Sequence, residues 1–200
     1  MSFKFKQFLN VKEIFYSLQG EGGRQGEASV FIRLSGCNLK CIFCDTDFER
    51  GHRMYIHEIL QRVKTFGCQW IIWTGGEPML QLTDEIVSFF KKEGFLQAIE
   101  SNGHYRLSEL LDYRVVSPKG NVTYARKVNT EVDEVRLPVK KGDRLPEIES
   151  LPDATHYFLS PIYTNERKST QDNIDYCVSQ IKQNNRWRLS VQMHKLIGIE

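Results

Sequence analysis

Apolar residues recur along the chain with two different periods, and segments of the two kinds alternate. Short runs rich in β-branched and aromatic residues, or apolar at every second position, predict strands. These runs lie near 11–17, 29–35, 69–73, 96–100, 114–117, 133–137, 155–160 and 187–193. Helical spacing predicts three helices, marked by Ile56, Ile59, Leu60 and Val63, by Ile86, Phe89 and Phe90 after the N-cap Thr83, and by Ile174, Cys177, Val178 and Ile181.

This alternation of strands and helices predicts the fold class. Strands separated by helices pair mostly in parallel, through right-handed crossovers. A complete eight-unit barrel typically takes about 250 residues, whereas this chain has 200. We therefore expect an α/β fold, an incomplete TIM-like barrel of mostly parallel strands with helices outside. No stretch has the composition of a linker or a repeat, so residues 1–200 are expected to form a single domain.

Small and polar residues follow several predicted strands directly. In parallel α/β folds the carboxyl ends of the strands line one rim, and ligands bind at that rim. The segments concerned are Thr74-Gly75-Gly76-Glu77-Pro78, Glu100-Ser101-Asn102-Gly103, Ser117-Pro118-Lys119, Ser160-Pro161 and Gln192-Met193-His194. We expect them to converge on one site.

Composition narrows the class of protein. Hydrophobic residues make up 40% of the chain, charged residues 26%, and the net charge is +2. These values are typical of a globular protein and argue against a membrane protein or an extended nucleic-acid surface. The first eight residues alternate apolar with basic side chains and lack the apolar run of a signal peptide, which predicts a cytoplasmic protein. Five cysteines, an odd number, favour metal or redox chemistry over a disulfide framework in that compartment.

Three of the cysteines, Cys37, Cys41 and Cys44, follow the spacing Cys-x3-Cys-x2-Cys. Such short gaps allow one loop to turn all three thiolates towards one metal centre, and they are common in iron–sulfur proteins. Closed zinc and iron–sulfur sites take four protein ligands, so three leave one position for a ligand that is not protein. The pattern also admits a zinc site completed by a distant histidine such as His52. The remaining two cysteines, Cys68 and Cys177, are expected to be buried apolar residues.

The cysteine motif, with Phe43 before its last cysteine, resembles the cluster loop of the radical S-adenosylmethionine (SAM) superfamily. Gly75-Gly76-Glu77 resembles the Gly-Gly-Glu motif of that superfamily, which holds the amino group of the cofactor. The resemblance implies that the cysteines bind three irons of a [4Fe-4S] cluster and that SAM chelates the fourth. The residues it assigns to SAM are Phe43, Asp45, Gly75, Gly76, Glu77, Ser101, Ser117, Pro118, Lys119 and Ser160.

The flanking segments resemble one family of that superfamily almost from end to end. They are 15–22, 30–38, 43–46, 74–78, 117–119 and 187–195, and they are similar to the 7-carboxy-7-deazaguanine synthases. These lyases convert 6-carboxy-5,6,7,8-tetrahydropterin to 7-carboxy-7-deazaguanine with loss of ammonia, on the route to queuosine. Because the cofactor carries the radical, no protein residue is assigned as catalytic. The resemblance further implies Mg²⁺, a one-electron reductant such as a flavodoxin or ferredoxin, and a homodimer.

Arg33 and Thr46 are the residues expected at the substrate carboxylate. Ile32 and Leu34 share one face of the predicted strand, so Arg33 lies on the opposite face with Phe31. A guanidinium binds a carboxylate through two parallel hydrogen bonds, which lysine cannot do. Arg33 could equally form a structural ion pair with a buried acid. The family resemblance implies that Thr46 holds Mg²⁺ against the substrate carboxylate.

A further set is expected to bind the pterin ring, because amide and carboxylate groups match the donors and acceptors of its aminopyrimidinone edge. With Arg33, the residues assigned to the substrate are Leu18, Gln19, Gly20, Glu21, Thr74, His194 and the chain-terminal Glu200. His194 follows the predicted strand 187–193 and is expected on its polar face. Ser160-Pro161 stands where many relatives have Gln-Pro, which weakens the assignment of a side-chain contact there.

Two other functions remain open at this point. A radical SAM activase that makes a glycyl radical on a partner protein shares the short cysteine spacing, but its site must admit a peptide loop. The set Gln19, Glu21 and Arg33 favours a small carboxylated heterocycle instead. A zinc-stabilised binding module without catalysis is the second alternative, and metal analysis would separate it from an iron–sulfur enzyme.

Overall fold

The computed structural model describes residues 7–44 and 46–199. The strands are β1 (Phe8–Leu18), β2 (Ala28–Leu34), β3 (His52–Tyr55), β4 (Trp70–Gly75), β5 (Leu96–Ser101), β6 (Tyr113–Val116), β7 (Glu131–Val139), β8 (Asp153–Pro161) and β9 (Trp187–Leu189). The helices are α1 (Ile56–Lys64), α2 (Asp84–Lys92), α3 (Val122–Val128), α4 (Arg167–Gln183) and α5 (Met193–Ile197). Two residues assigned to ligands, Asp45 and Glu200, lie outside the described residues, as does the start of the N-terminal segment.

The strands form one nine-stranded sheet in the order β3-β1-β2-β4-β5-β6-β7-β8-β9. Every neighbouring pair from β2 to β9 is parallel, whereas β1 is antiparallel to both β2 and β3. Strands β3 and β9 form the two edges and do not pair with each other, so the barrel is open. The expectation of an incomplete, mostly parallel barrel is confirmed.

The central strands and the first two helices follow from their sequence pattern. Ile71, Ile72 and Trp73 are all fully buried, as expected for a parallel strand covered on both faces. Helix α1 buries the predicted stripe of apolar residues, and its start is capped because Glu58 accepts a hydrogen bond from the Tyr55 amide at 2.7 Å. In the described part of the chain, no helix is both long and apolar enough to cross a bilayer.

The prediction of a strand over 187–193 is wrong beyond Leu189, where β9 ends. Beyond β9 the Ser190 amide still bonds to the Leu159 carbonyl of β8, but the polar groups that follow bond to the β1–β2 connection. The hydroxyl of Ser190 accepts the Gly22 amide at 2.9 Å, and the Met193 amide donates to the Gly20 carbonyl at 2.9 Å. Helix α5 then begins at Met193. The short elements β3, α3 and α5 were not predicted, since they are too short to show a period.

Candidate active site

A cavity of about 450 Å³ opens at the carboxyl ends of the parallel strands. Most of the residues assigned from the sequence line it: Leu18, Gln19, Gly20, Glu21, Arg33, Cys37, Cys41, Phe43, Cys44, Thr46, Thr74, Gly75, Gly76, Ser101, Ser117, Lys119, Ser160 and His194. Among the assigned residues that the structure describes, Glu77 and Pro118 do not line the cavity. The lining residues without an assigned role include Glu13, Glu100, Arg136 and Gln192. The predicted convergence of the strand ends therefore occurs.

The turn Gly75-Gly76 is held directly against the start of the cysteine loop. The Gly76 amide donates to the Leu34 carbonyl at 3.0 Å, and the Glu77 amide donates to the Gly36 carbonyl at 2.9 Å. A Cβ atom on Gly76 would lie 1.8 Å from that Gly36 oxygen, so no side chain fits there. Gly75 has φ +111°, a conformation that favours glycine. Both glycines are therefore needed to bring the turn against the loop.

The Glu77 side chain points away from the cavity and is fully buried. Its carboxylate accepts hydrogen bonds from the Met79 amide, the Ser101 hydroxyl and the Asn102 amide at 3.1, 2.9 and 2.8 Å. Burial raises the pKa of Glu77, although these hydrogen bonds oppose the rise. The carboxylate thus ties the end of β5 to the turn after β4. A direct contact of its side chain with SAM stays a prediction.

The three cysteines lie along one side of the cavity beside the glycine turn. Burial raises the pKa of the Cys37 and Cys41 thiols. A hydrogen bond from the side-chain amide of Asn102 to Asn38 Oδ1, at 2.8 Å, attaches this loop to the end of β5. We call Cys37, Cys41, Phe43, Cys44, Gly75 and Gly76 the cysteine wall.

The donors of the cysteine wall suit an iron–sulfur cluster, because such clusters are held by thiolates and three free cysteines lie on this loop. A cubane cluster offers a separate iron to each thiolate, so its ligands need not meet at one point. His52, the distant zinc ligand considered above, lies in β3 and does not line the cavity. Three thiols on one loop beside a glycine turn therefore fit a [4Fe-4S] cluster with one iron left for another ligand.

Lys119 adds a positive charge near the cysteine wall. Its ammonium donates to the Ser117 hydroxyl at 2.7 Å and lies 5.8 Å from the centre of the Phe43 ring. Burial lowers the pKa of Lys119, while the nearby Glu21 opposes that change. The predicted pair Ser117 and Lys119 is thus brought together at the cavity surface, where it can contact the polar groups of a ligand.

Arg33 extends from β2 into the cavity, as the strand alternation predicted. Its neighbours Ile32 and Leu34 are fully buried on the other face of the strand. The Arg33 Nε lies 2.9 Å from a carboxylate oxygen of Glu13, a side chain that is 45% exposed. An ion pair with so exposed a partner is weak. No described residue accepts a hydrogen bond from the two terminal nitrogens of Arg33, which can therefore bind an incoming carboxylate.

Charged side chains from three segments form one ion-pair network at the cavity. Arg136 Nη1 lies 3.1 Å from Glu100 Oε2 and 3.4 Å from Glu21 Oε2, and Arg136 Nη2 lies 2.6 Å from Glu134 Oε1. We call Glu21, Glu100, Glu134 and Arg136 the acidic floor. Burial alone would lower the pKa of Arg136, but the three carboxylates raise it, so the guanidinium stays charged.

Hydrogen-bond donors orient the two carboxylates of the acidic floor that line the cavity. Gln19 Nε2 donates to Glu100 at 2.9 Å, and Gln192 Nε2 donates to Glu21 at 3.0 Å. The Ser160 hydroxyl lies 3.3 Å from Glu21 Oε2 and donates to it, so this residue does have a side-chain contact in the cavity. Burial raises the pKa of Glu100, and Arg136 opposes that rise.

His194 reaches the cavity from helix α5 and not from a strand. Its ring lies directly over Gly20, where a Cβ atom would be 2.1 Å from the imidazole Nδ1. The Met193 amide bonds to the Gly20 carbonyl at the same place. Gly20 therefore serves as the surface on which the C-terminal segment packs, and this contact brings His194 to the cavity.

The sequence profile described as "Radical SAM superfamily" matches residues 31–146. The 7-carboxy-7-deazaguanine synthase of Bacteroides thetaiotaomicron is 43% identical over 189 residues, which cover 94% of this chain and 97% of that protein. The enzyme of the same name from Haemophilus influenzae is 36% identical, with 98% and 96% of the two chains covered. The chain belongs to the 7-carboxy-7-deazaguanine synthases of the radical SAM superfamily.

A solved structure shows the same fold. The crystal structure of QueE from Escherichia coli aligns with a TM-score of 0.71, covering 94% of this chain and 95% of that chain at 24% identity. Membership of the radical SAM superfamily implies a [4Fe-4S] cluster and SAM as cofactors, in agreement with the cysteine wall. Neither the family's motifs nor the strand pattern had assigned a role to Glu100, Glu134 or Arg136. The available signal was the pair Glu134 and Arg136, two charged residues at alternate positions of the predicted strand 133–137.

Proposed function

We propose that the chain converts 6-carboxy-5,6,7,8-tetrahydropterin to 7-carboxy-7-deazaguanine, with loss of ammonia, on the route to queuosine and related 7-deazapurines. One observation carries this proposal. The same cavity holds a loop of three thiols beside a glycine turn and, away from them, Arg33 and a set of amide and carboxylate groups. The first part suits a radical cofactor, and the second suits a small carboxylated heterocycle.

The chain's contribution to the reaction is to hold and orient. Cys37, Cys41 and Cys44 would hold the cluster, while Gly75, Gly76 and the pair Ser117 and Lys119 would contact SAM. When bound and reduced by one electron, the cofactor supplies the radical that removes a hydrogen atom from C6 of the pterin. The side chains of the cavity determine which carbon of the substrate faces that radical.

Arg33 would fix the substrate carboxylate through its terminal nitrogens. Thr46 lines the same cavity and offers a hard oxygen ligand. Mg²⁺ usually takes few protein ligands and completes its shell with water and substrate oxygens, so a single threonine is sufficient for such a site. Together the arginine and Mg²⁺ would neutralise the carboxylate and so fix the position of C6, the carbon that carries it.

At the other end of the substrate, Glu21 and Glu100 would accept hydrogen bonds from the N–H groups of the aminopyrimidinone edge. Gln19 supplies an amide there, and Thr74 and His194 line the same cavity. A pterin edge presents adjacent N–H donors to this pair of carboxylates, whereas along a peptide backbone the N–H donors are separated by C=O acceptors. The acidic floor therefore favours the pterin over the peptide loop of a glycyl-radical partner.

The remaining proposals concern the protein's surroundings. We expect residues 1–200 to act as one domain in the cytoplasm, where thiols remain reduced before the cluster assembles. A flavodoxin or ferredoxin would supply the electron. Two-fold dimers are the commonest assembly of soluble enzymes, and a homodimer is expected here.

The proposal is tested by turnover of the reconstituted protein, under anaerobic reducing conditions with SAM and Mg²⁺. Formation of 7-carboxy-7-deazaguanine from the carboxytetrahydropterin is the expected result. Absence of product from protein with a full complement of iron and sulfide would reject the proposed function. Zinc in place of iron would support a binding module instead.

Arg33 gives a sharper test of the substrate end. Arg33→Ala is expected to lower kcat/KM by roughly 1,000-fold, because a paired charge at the carboxylate contributes several kcal/mol. Iron and sulfide content should stay at the level of the unmodified protein. Arg33→Lys keeps the charge but not the two-pronged geometry, so it should restore only part of the activity. Loss of the cluster in Arg33→Ala would show a structural arginine instead.

A further inference from the structure

Arg136 is a buried charge without a function assigned by any motif. It lies in β7 and is only 7% exposed, although it lines the cavity. Removing a guanidinium from water costs several kcal/mol unless its donors are paired with good geometry. All N–H donors of a buried guanidinium therefore need hydrogen-bond acceptors, and the acceptors of Arg136 indicate its role.

Glu134 anchors one side of the guanidinium. It is fully buried and accepts hydrogen bonds from Arg136 Nε at 2.8 Å and Nη2 at 2.6 Å. Its second oxygen is held by the Tyr113 hydroxyl at 2.9 Å and the Gly23 amide at 2.8 Å. Burial and the neighbouring Glu134 raise the pKa of Tyr113, so this hydroxyl remains a donor. Glu134 is thus fixed from both ends and does not line the cavity.

The other side of the guanidinium points to the cavity. Arg136 Nη1 and Nη2 lie 3.1 and 3.3 Å from the two oxygens of Glu100, which is a two-pronged pair, and Nη1 also bonds to Glu21 at 3.4 Å. Glu100 comes from the end of β5 and Glu21 from the β1–β2 connection. One rigid, planar cation therefore sets the distance between two carboxylates that approach from different segments.

We propose that Arg136 is a positioning residue, which holds the carboxylates of Glu21 and Glu100 side by side so that both accept hydrogen bonds from the same edge of the substrate. Without a neighbouring cation, like charges this close favour the uptake of a proton by one of the two carboxylates. A protonated carboxyl presents a donor where the substrate needs an acceptor. This inference rests on the proposed function, since it assumes the donor-rich edge of a pterin.

Other charged groups around Glu21 and Glu100 do not replace Arg136. The other titratable groups near them are Glu134, which lies behind the cavity surface, and Lys119, Tyr163 and His194, which line the cavity. Glu134 carries the same sign as the pair. The Lys119 ammonium bonds to Ser117, and no hydrogen bond or ion pair in the described structure joins it to either carboxylate. Removing Arg136 therefore leaves the pair without its hydrogen-bonded cation.

The decisive experiment compares Arg136→Gln with Arg136→Lys in the reconstituted holoenzyme. Arg136→Gln is expected to lower kcat/KM on the order of 100-fold, because it leaves buried carboxylates unpaired. It should also raise the pKa of Glu100, because Arg136 opposes the rise that burial causes, and so move the acidic limb of the kcat/KM profile to higher pH by about one unit. Arg136→Lys keeps the charge, so its acidic limb should stay in place while kcat/KM falls about tenfold through loss of the fork.

Arg24 provides the matched control. Arg24 is also buried, at 6% exposed, and lies in the β1–β2 connection that carries Glu21. Its guanidinium stacks on Trp70 and pairs with Glu27, away from the cavity. Arg24→Gln should lower the thermal midpoint without moving the acidic limb. Uncoupled cleavage of SAM in the absence of substrate should continue in Arg24→Gln, because Arg24 contacts neither the cysteine wall nor the acidic floor.

The outcomes separate the inference from the proposed function. Turnover by the unmodified protein together with an unmoved acidic limb in Arg136→Gln would overturn the positioning role and leave the proposed function intact. Normal kcat/KM in Arg136→Lys would also contradict it, and this comparison decides the matter if Arg136→Gln does not fold. An unmodified protein that neither converts the carboxytetrahydropterin nor binds it in calorimetry would reject both.

Discussion

The cysteine wall and the acidic floor belong to one cavity but are built in opposite ways. The cysteines of the wall come from a single loop, and their side chains are only partly buried, with Cys44 exposed. The acidic floor joins the β1–β2 connection, β5 and β7, and within it Glu134 is fully buried. Three cluster ligands that are close in sequence can be supplied by one short loop. Charges that come from separate segments need a rigid, buried framework to hold them at fixed distances.

Because of this difference, the cysteine wall and the acidic floor should respond differently to substitutions. The wall depends on the identity of its thiols and on close backbone approach at Gly76. The floor depends on mutual pairing, so that one change leaves the others uncompensated. Mutations in the wall should therefore affect cofactor loading, and mutations around the floor should affect the use of substrate.

The largest effect is expected from Cys41→Ala, which removes one of three cluster ligands. Iron and sulfide content should fall to background and turnover should become undetectable, because no other described cysteine lies near the loop to take its place. Cys68→Ala is the control, since Cys68 does not line the cavity and bonds through its thiol to the Ala28 carbonyl. An active Cys41→Ala protein with a full cluster would contradict the assignment of the wall.

Gly76→Ala should produce a smaller effect on the same wall. The added methyl overlaps the Gly36 carbonyl and must push the cysteine loop away, at a cost of about 2 kcal/mol. We expect a lower thermal midpoint and reduced iron content after reconstitution, measured by calorimetry and metal analysis. Gly94→Ala adds a methyl in open space, with only the cost of its positive φ, and should keep full iron content. Equal iron loading in the two variants would refute the contact.

The smallest effect is expected from Gly20→Ala, at the substrate end. Its methyl displaces the His194 ring and should raise KM about tenfold through misplacement of substrate, with uncoupled SAM cleavage unaffected. A double-mutant cycle tests the cause. In a His194→Ala background the ring is gone and only the Cβ of residue 194 remains, 3.1 Å from the added methyl, so Gly20→Ala should add little further loss. A similar loss in both backgrounds would mean that Gly20 acts through its backbone and not through the ring.

Much of the fold and the whole cysteine wall could be predicted before the structure. The central strands show nearly continuous apolar runs, and the three thiols form one contiguous motif. The C-terminal segment could not be predicted in the same way, because Ser190 and Met193 bond to a loop that is distant in sequence. The alternation of apolar and polar residues predicted a strand over 187–193. In the structure the strand ends at Leu189, and a turn and helix α5 follow.

The sequence by itself determined the open parallel barrel, the loop of three cysteines and the family, because each depends on residues that are neighbours along the chain. Only the tertiary structure decided which charges meet. Glu21, Glu100 and Arg136 come from separate segments, and nothing local indicates that one guanidinium bridges two carboxylates. The structure also showed that Glu77 does not line the cavity, because its carboxylate accepts hydrogen bonds from Ser101 and Asn102 at the end of β5. Pairing of buried charges depends on distances in space, and those distances are set by sheet order and register.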